Sequence, residues 1–114
     1  MSRRDDQRLG DIIAAAQTIA DHLKRSGLDD GLVFDAVRVR LIEIGEAVRA
    51  IDTELLAREP SIPWVDVAGM RNHLAHRYFD TGHAVVRATV DHDLPPLVDA
   101  AGRLLAYVVS QSDS

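Results

Sequence analysis

Residues 71–78, Arg71-Asn72-His73-Leu74-Ala75-His76-Arg77-Tyr78, put a permanent cation, imidazoles and a phenol within one short stretch. An arginine can grip a phosphate with a forked pair of hydrogen bonds. A histidine can take up or release a proton near neutral pH. Together they form a minimal kit for cutting RNA without a metal. His76 would accept the proton of a ribose 2′-hydroxyl or protonate the leaving 5′-oxygen. Arg71 would stabilise the extra negative charge of the phosphorane-like transition state. Asn72 could orient the phosphate or the imidazole, and Tyr78 could hydrogen-bond a phosphate or stack on a base. DNA, which lacks the 2′-hydroxyl, would be inert.

The spacing leaves other readings open. Arg71 and His76 are five positions apart, which on an ideal helix is roughly 140° of rotation. They do not share one stripe, and a site shared between two subunits would close the gap. The same residues at a helix end would simply favour the negative pole of the helix dipole. His73 and His76 stand at i and i+3 and could both face a metal ion. However, further ligands at fixed spacing are missing nearby, and a zinc site needs three or four. Glu46 could pair with Arg71 or orient His76, or be a surface acid. Arg71, Arg77 and Arg87 could supply a local cationic patch.

A helical scaffold must position these groups. Leu9, Ile12, Ile13, Ala16, Ile19, Ala20 and Leu23 recur at three- and four-residue steps, predicting a helix over about residues 5–25. Gly27 is placed to end it in a left-handed cap. Phe34, Val37, Leu41, Ile44, Val48, Ile51 and Leu55 alternate steps of three and four, a seam for close packing against partner helices. Asp29 or Asp30 would cap this element. Gly45 sits beside the seam, where a helix-interior glycine costs about 1 kcal/mol relative to alanine. That cost is best explained by close approach of a neighbour. Pro60 and Pro63 enforce an extended connector, and Trp64 reads as the anchor that fixes it to the core. A third helix over about 65–77 carries the polar motif, with Val67, Met70 and Leu74 on its buried edge. A short fourth helix is expected from Thr81-Gly82 to about Val90. Asp91-His92-Asp93 then interrupts. Asp93 would cap a fifth helix, with Pro95 and Pro96 in its first turn. The expectation is a single domain over 1–114, an all-α up-and-down bundle of four to five helices.

Composition limits the function. The 114 residues carry a formal net charge of −5, so a general nucleic-acid coat protein is disfavoured and any RNA contact must be local. Cysteine is absent, which excludes disulfides and thiolate metal sites and fits a cytoplasmic location. The polar N-terminus and the lack of a long apolar run predict neither secretion nor a membrane span. There is no phosphate-cradling glycine loop, no nucleophile elbow and no Walker-like lysine. No cofactor is expected.

At this point the motifs resemble a known family. Arg71-x4-His76-x-Tyr78 resembles the R-x4-H-x-Y signature of the HepT-like toxins in the HEPN superfamily. Ile44-Gly45-Glu46-Ala47 is similar to that family's IGEA element. Ile62-Pro63-Trp64 with Gly69-Met70-Arg71-Asn72 resembles its next segment, and Leu94-Pro95 with Leu97 its closing helix. Position 77 departs from the pattern: arginine stands where many relatives carry an acid.

The resemblance implies a HEPN-like homodimer in which paired signature segments line a cleft. It implies a metal-independent endoribonuclease, the toxin of a toxin–antitoxin pair. Its partner would be a minimal nucleotidyltransferase of the MntA type, which silences the toxin by adding AMP to the signature tyrosine, here Tyr78. The rival expectation is a non-catalytic helical module that docks a nucleotide or that partner.

Overall fold

The computed structural model describes residues 3–76 and 82–112, and at positions 3, 71–73, 75, 76, 82, 83 and 112 it describes the backbone alone. Arg77 and Tyr78 therefore lie outside the described residues. The described chain is all-α.

Helix α1 spans Arg3–Arg25. Leu9, Ile12, Ala16 and Ile19 of its apolar stripe are in the core as the periodicity predicts, but Ala20 is exposed and Ala15, outside the predicted stripe, is buried. Asp5 and Asp6 in the first turn, and His22, Lys24 and Arg25 in the last, complement the helix dipole. Gly27 does not take the left-handed conformation expected of it. The chain instead turns through a hydrogen bond from the Asp30 amide to the Gly27 carbonyl, 3.1 Å. Asp30 then caps α2 (Gly31–Arg49), accepting from the Leu32 amide at 2.9 Å.

The seam of α2 is the centre of the molecule. Val37, Leu41 and Ile44 are fully buried, and Gly45 is buried beside them. The uninterrupted stripe suggested one element through Leu55, but α2 stops at Ala50. Asp52 accepts a hydrogen bond from the Glu54 amide at 2.9 Å and starts a separate short helix, α3 (Thr53–Leu56). A short acidic side chain competes for backbone donors and favours a new helix start over continuation. Ile51 and Leu55 still reach the core, so the spacing survives the break. The same corner is tied to α1: the Asp52 amide donates to Oδ1 of Asp5 at 3.4 Å, and Asp5 is only 2% exposed.

Residues 57–63 lead to α4 (Trp64–His76). Helix α5 (Gly82–Ala88) passes into a π turn, Thr89–Asp93, and then α6 (Leu94–Ser112). The interruption expected at Asp91-His92-Asp93 is absent, and Asp93 is not a cap. The helical path continues, with the Leu94 amide bonded to the Thr89 carbonyl five residues back. Pro95 and Pro96 explain the widening. They have no amide to give the carbonyls four residues earlier, and their rings would collide with those carbonyls in α register.

Helix α1 packs against both α2 and α6, and α4 packs against α2. No described helix is long and apolar enough to cross a membrane.

Candidate active site

The signature segment enters the structure through an anchored connector. Trp64 donates its indole N–H to the Glu59 carbonyl at 3.0 Å, which is the anchoring role its position suggested. Arg103 on α6 grips the Glu59 carboxylate with a forked bond, Nη2 to Oε1 at 2.6 Å and Nε to both oxygens at 3.1 Å. These bonds hold the Glu59 carboxyl below its usual pKa and raise that of Arg103. The Arg58 guanidinium lies 3.6 Å from the centroid of the Tyr107 ring. The path into α4 is thus tied to α6 at two neighbouring residues, and the Trp64 and Val67 amides bond the Ile62 and Pro63 carbonyls.

The register of α4 then decides what each position faces. Leu74 is 1% exposed, and Val67 and Met70 are half-buried on the same side, as the sequence predicts. Position 71 follows Val67 by four and precedes Leu74 by three, so it falls beside this buried arc. Val65 is 86% exposed and Gly69 has open space where a Cβ would be. Positions 72 and 76 continue their steps of four, three and four, so they share that outward arc. The structure therefore brings Arg71 and His76 onto one helix. They are roughly 140° and about 7.5 Å of rise apart, on opposite arcs of a single protomer.

Two grooves flank the central helices. One, of about 830 Å³, separates α4 from the α5–π–α6 arm; Leu41, Met70, Leu74, Leu94 and Leu97 line it, with Asp66 and Asp93. Among the described residues its lining is mostly apolar. The other, of about 570 Å³, runs between α1 and α2. It holds Arg8, Asp11, Arg40, Glu43 and Glu46, with Arg40 and Glu43 paired at 3.0 Å. Glu46 is exposed there. Arg87, proposed from sequence for a cationic patch, is exposed on α5 with Nη2 3.7 Å from Asp29.

One charged residue that sequence reasoning passed over reaches the signature. Arg38, half-buried on α2, donates Nη1 to the Leu74 carbonyl at 3.4 Å. A signal for it was present. Position 38 is four after Phe34 and three before Leu41, a seam position where a charge is out of pattern.

Comparison with known proteins identifies the family. Residues 9–104 match the family described as Ribonuclease HepT-like. The chain is 30% identical over 102 residues to "Putative RNase MJ1380" of Methanocaldococcus jannaschii, covering 85% of this chain and 94% of that one. It is 33% identical over 101 residues to "Probable ribonuclease HepT" of Thermococcus cleftensis, covering 85% and 92%. No solved structure matches the chain at a significant level. A signature helix seated on a packed α2 seam, with this match over most of its length, places the chain in the ribonuclease HepT-like family, and it is an endoribonuclease.

Proposed function

We propose that this endoribonuclease is the toxin of a toxin–antitoxin pair, and that it cleaves RNA without a metal at a cleft between two copies of the chain. The observation that carries the reading is the split register of α4. Position 76 lies on the outward arc with the exposed Val65, while position 71 lies beside the buried arc. A second copy facing that outward arc would bring one protomer's His76 toward its partner's signature and bury Val65 at the same time.

In such a cleft the chemistry balances without a cofactor. The 2′-oxygen attacks the adjacent phosphorus, and its proton passes to a neutral His76 imidazole. The bond from phosphorus to the 5′-oxygen breaks, and an imidazolium, that of the second copy, protonates the leaving oxygen. The products are a 2′,3′-cyclic phosphate and a 5′-hydroxyl. Arg71 stabilises the charge that accumulates on the phosphoryl oxygens. Asn72 and Arg77 would support the phosphate and Tyr78 a base or phosphate, while Glu46 would orient a neighbour.

Silencing follows from the same electrostatics. A nucleotidyltransferase partner that adds AMP to Tyr78 would place an anionic phosphate two residues from His76, where it competes with RNA for the arginines and fills the cleft. This reading sets the pair in the cytoplasm, where RNA and nucleotide are available.

Cleavage of an RNA oligonucleotide in EDTA, with mapped ends, tests the mechanism. Wild type should leave a cyclic phosphate and a 5′-hydroxyl, and His76→Ala should not cleave. Cleavage that needs a divalent ion, or that leaves a 5′-phosphate, would overturn it. Co-expression with a minimal nucleotidyltransferase of the MntA type, followed by mass spectrometry of the peptide containing Tyr78, tests the silencing.

A further inference from the structure

We infer that Arg38 is a positioning residue for the catalytic turn of α4, a role that rests on the assignment of Arg71 and His76 above. Arg38 belongs to α2, yet its Nη1 donates to the carbonyl of Leu74, 36 positions away in sequence. Leu74 lies between Arg71 and His76 on α4. A backbone carbonyl oxygen has two lone pairs and can accept a second donor beside any helical one. A guanidinium supplies that N–H together with a permanent positive charge.

The base of this strut is fixed by packing. Val37 and Leu41, on either side of Arg38 in α2, are fully buried, as is the Leu74 side chain. The contact thus joins a buried seam of the scaffold to the turn that carries the chemistry. At 3.4 Å and half-buried the bond is long for its kind, so its share in overall stability is small. Its share in geometry is not, because displacing a catalytic group by about 1 Å can cost on the order of 100-fold in rate. That asymmetry separates positioning from mere support of the fold.

The test uses the full chain with Arg38→Met, which keeps the length and apolar stem without donors, and Arg38→Lys, which keeps charge and donors. Arg38→Met should lower kcat by about 10-fold or more, with KM and the unfolding midpoint essentially unchanged. Backbone hydrogen exchange in peptides covering 70–76 should become faster. Arg38→Lys should recover most of the lost kcat. Unchanged kcat with unchanged exchange in Arg38→Met would overturn the role. A rise in KM alone would also do so, since Arg38 would then be contacting RNA. His76→Ala is measured in parallel. Cleavage that survives it removes the site assignment, and the exchange measurement then still decides whether Arg38 holds the turn.

Discussion

Helices α2 and α4 lie against each other but are held in place by different means. Helix α2 is fixed along its whole length: seven of its residues are buried, from Val33 to Val48, and Asp30 caps its start. Among the described side chains of helix α4 only Leu74 is fully buried, with Trp64, Val67, Ala68 and Met70 half-buried against the core. Trp64 and the Glu59–Arg103 clamp secure its entry, Leu74 plugs it into the core, and Arg38 reaches the Leu74 carbonyl. One side of α4 stays outward at Val65 and Gly69. The difference teaches how a small helical enzyme can keep polar groups beside its core. A helix packed all along one wide face would bury the groups that must meet RNA. A helix pinned at intervals keeps its register while leaving an arc for substrate or a second copy.

The largest expected effect removes chemistry without touching the pins. His76→Ala should lower kcat by about 10²–10⁴-fold, the usual share of general acid–base catalysis, while circular dichroism and the unfolding midpoint stay at wild-type values. A variant that also unfolds would show that position 76 belongs to the scaffold. Next is the plug. Leu74→Ala should lose about 2–5 kcal/mol of stability and cleavage with it, as read by urea unfolding and by activity at low temperature. If stability falls by no more than a surface change would cost, α4 is not pinned at Leu74.

The outward arc is tested by Val65→Lys. This exposed change should leave monomer stability within about 0.5 kcal/mol but lower the apparent mass in light scattering and reduce cleavage. Persistence of a dimer with full activity would move the interface elsewhere. At the entry, Trp64→Phe should cost about 0.5–1.5 kcal/mol for the lost indole bond, measured by thermal unfolding.

The smallest effect is a pH dependence. Because Arg103 holds the folded pKa of Glu59 below its ordinary 4.5, the pair's contribution is present above that pH. It is lost as pH falls through the folded value. Glu59→Gln should therefore narrow the stability gap to wild type on acidification from pH 6 to below pH 4, and a gap that widens would contradict the clamp.

How much of this was legible in the sequence depends on range. The α1 stripe, the α2 seam, the Asp30 cap and the Trp64 anchor follow from local spacing and local chemistry, and they appear where expected. The break at Asp52 was hidden because Ile51 and Leu55 keep the apolar period across it. The π turn was hidden because Asp-His-Asp followed by two prolines looks like a stop, whereas a widened turn absorbs the prolines' missing amides. The site divides in the same way. Arg71 and His76 on one helix, with Leu74 buried between them, were readable from the motif. The reach of Arg38 across 36 positions, and that of Arg103 across 44, needed the fold. Both are arginines whose partners lie on a distant segment, and no periodicity within their own segments names that partner.

The widened turn at Thr89–Asp93 also constrains how this chain can change in length. An i→i+5 turn houses one residue more than an α turn. That surplus sets the angular phase between Val86, fully buried on α5, and Leu94 and Leu97 on α6. Deleting a single residue from this stretch would restore ordinary winding at the cost of rotating α5 by about 100° against α6. Val86 would swing into water, and the backbone leading back to the signature would be re-aimed. Insertions and deletions here are therefore changes of direction, and the tolerance expected of a surface corner does not extend to them.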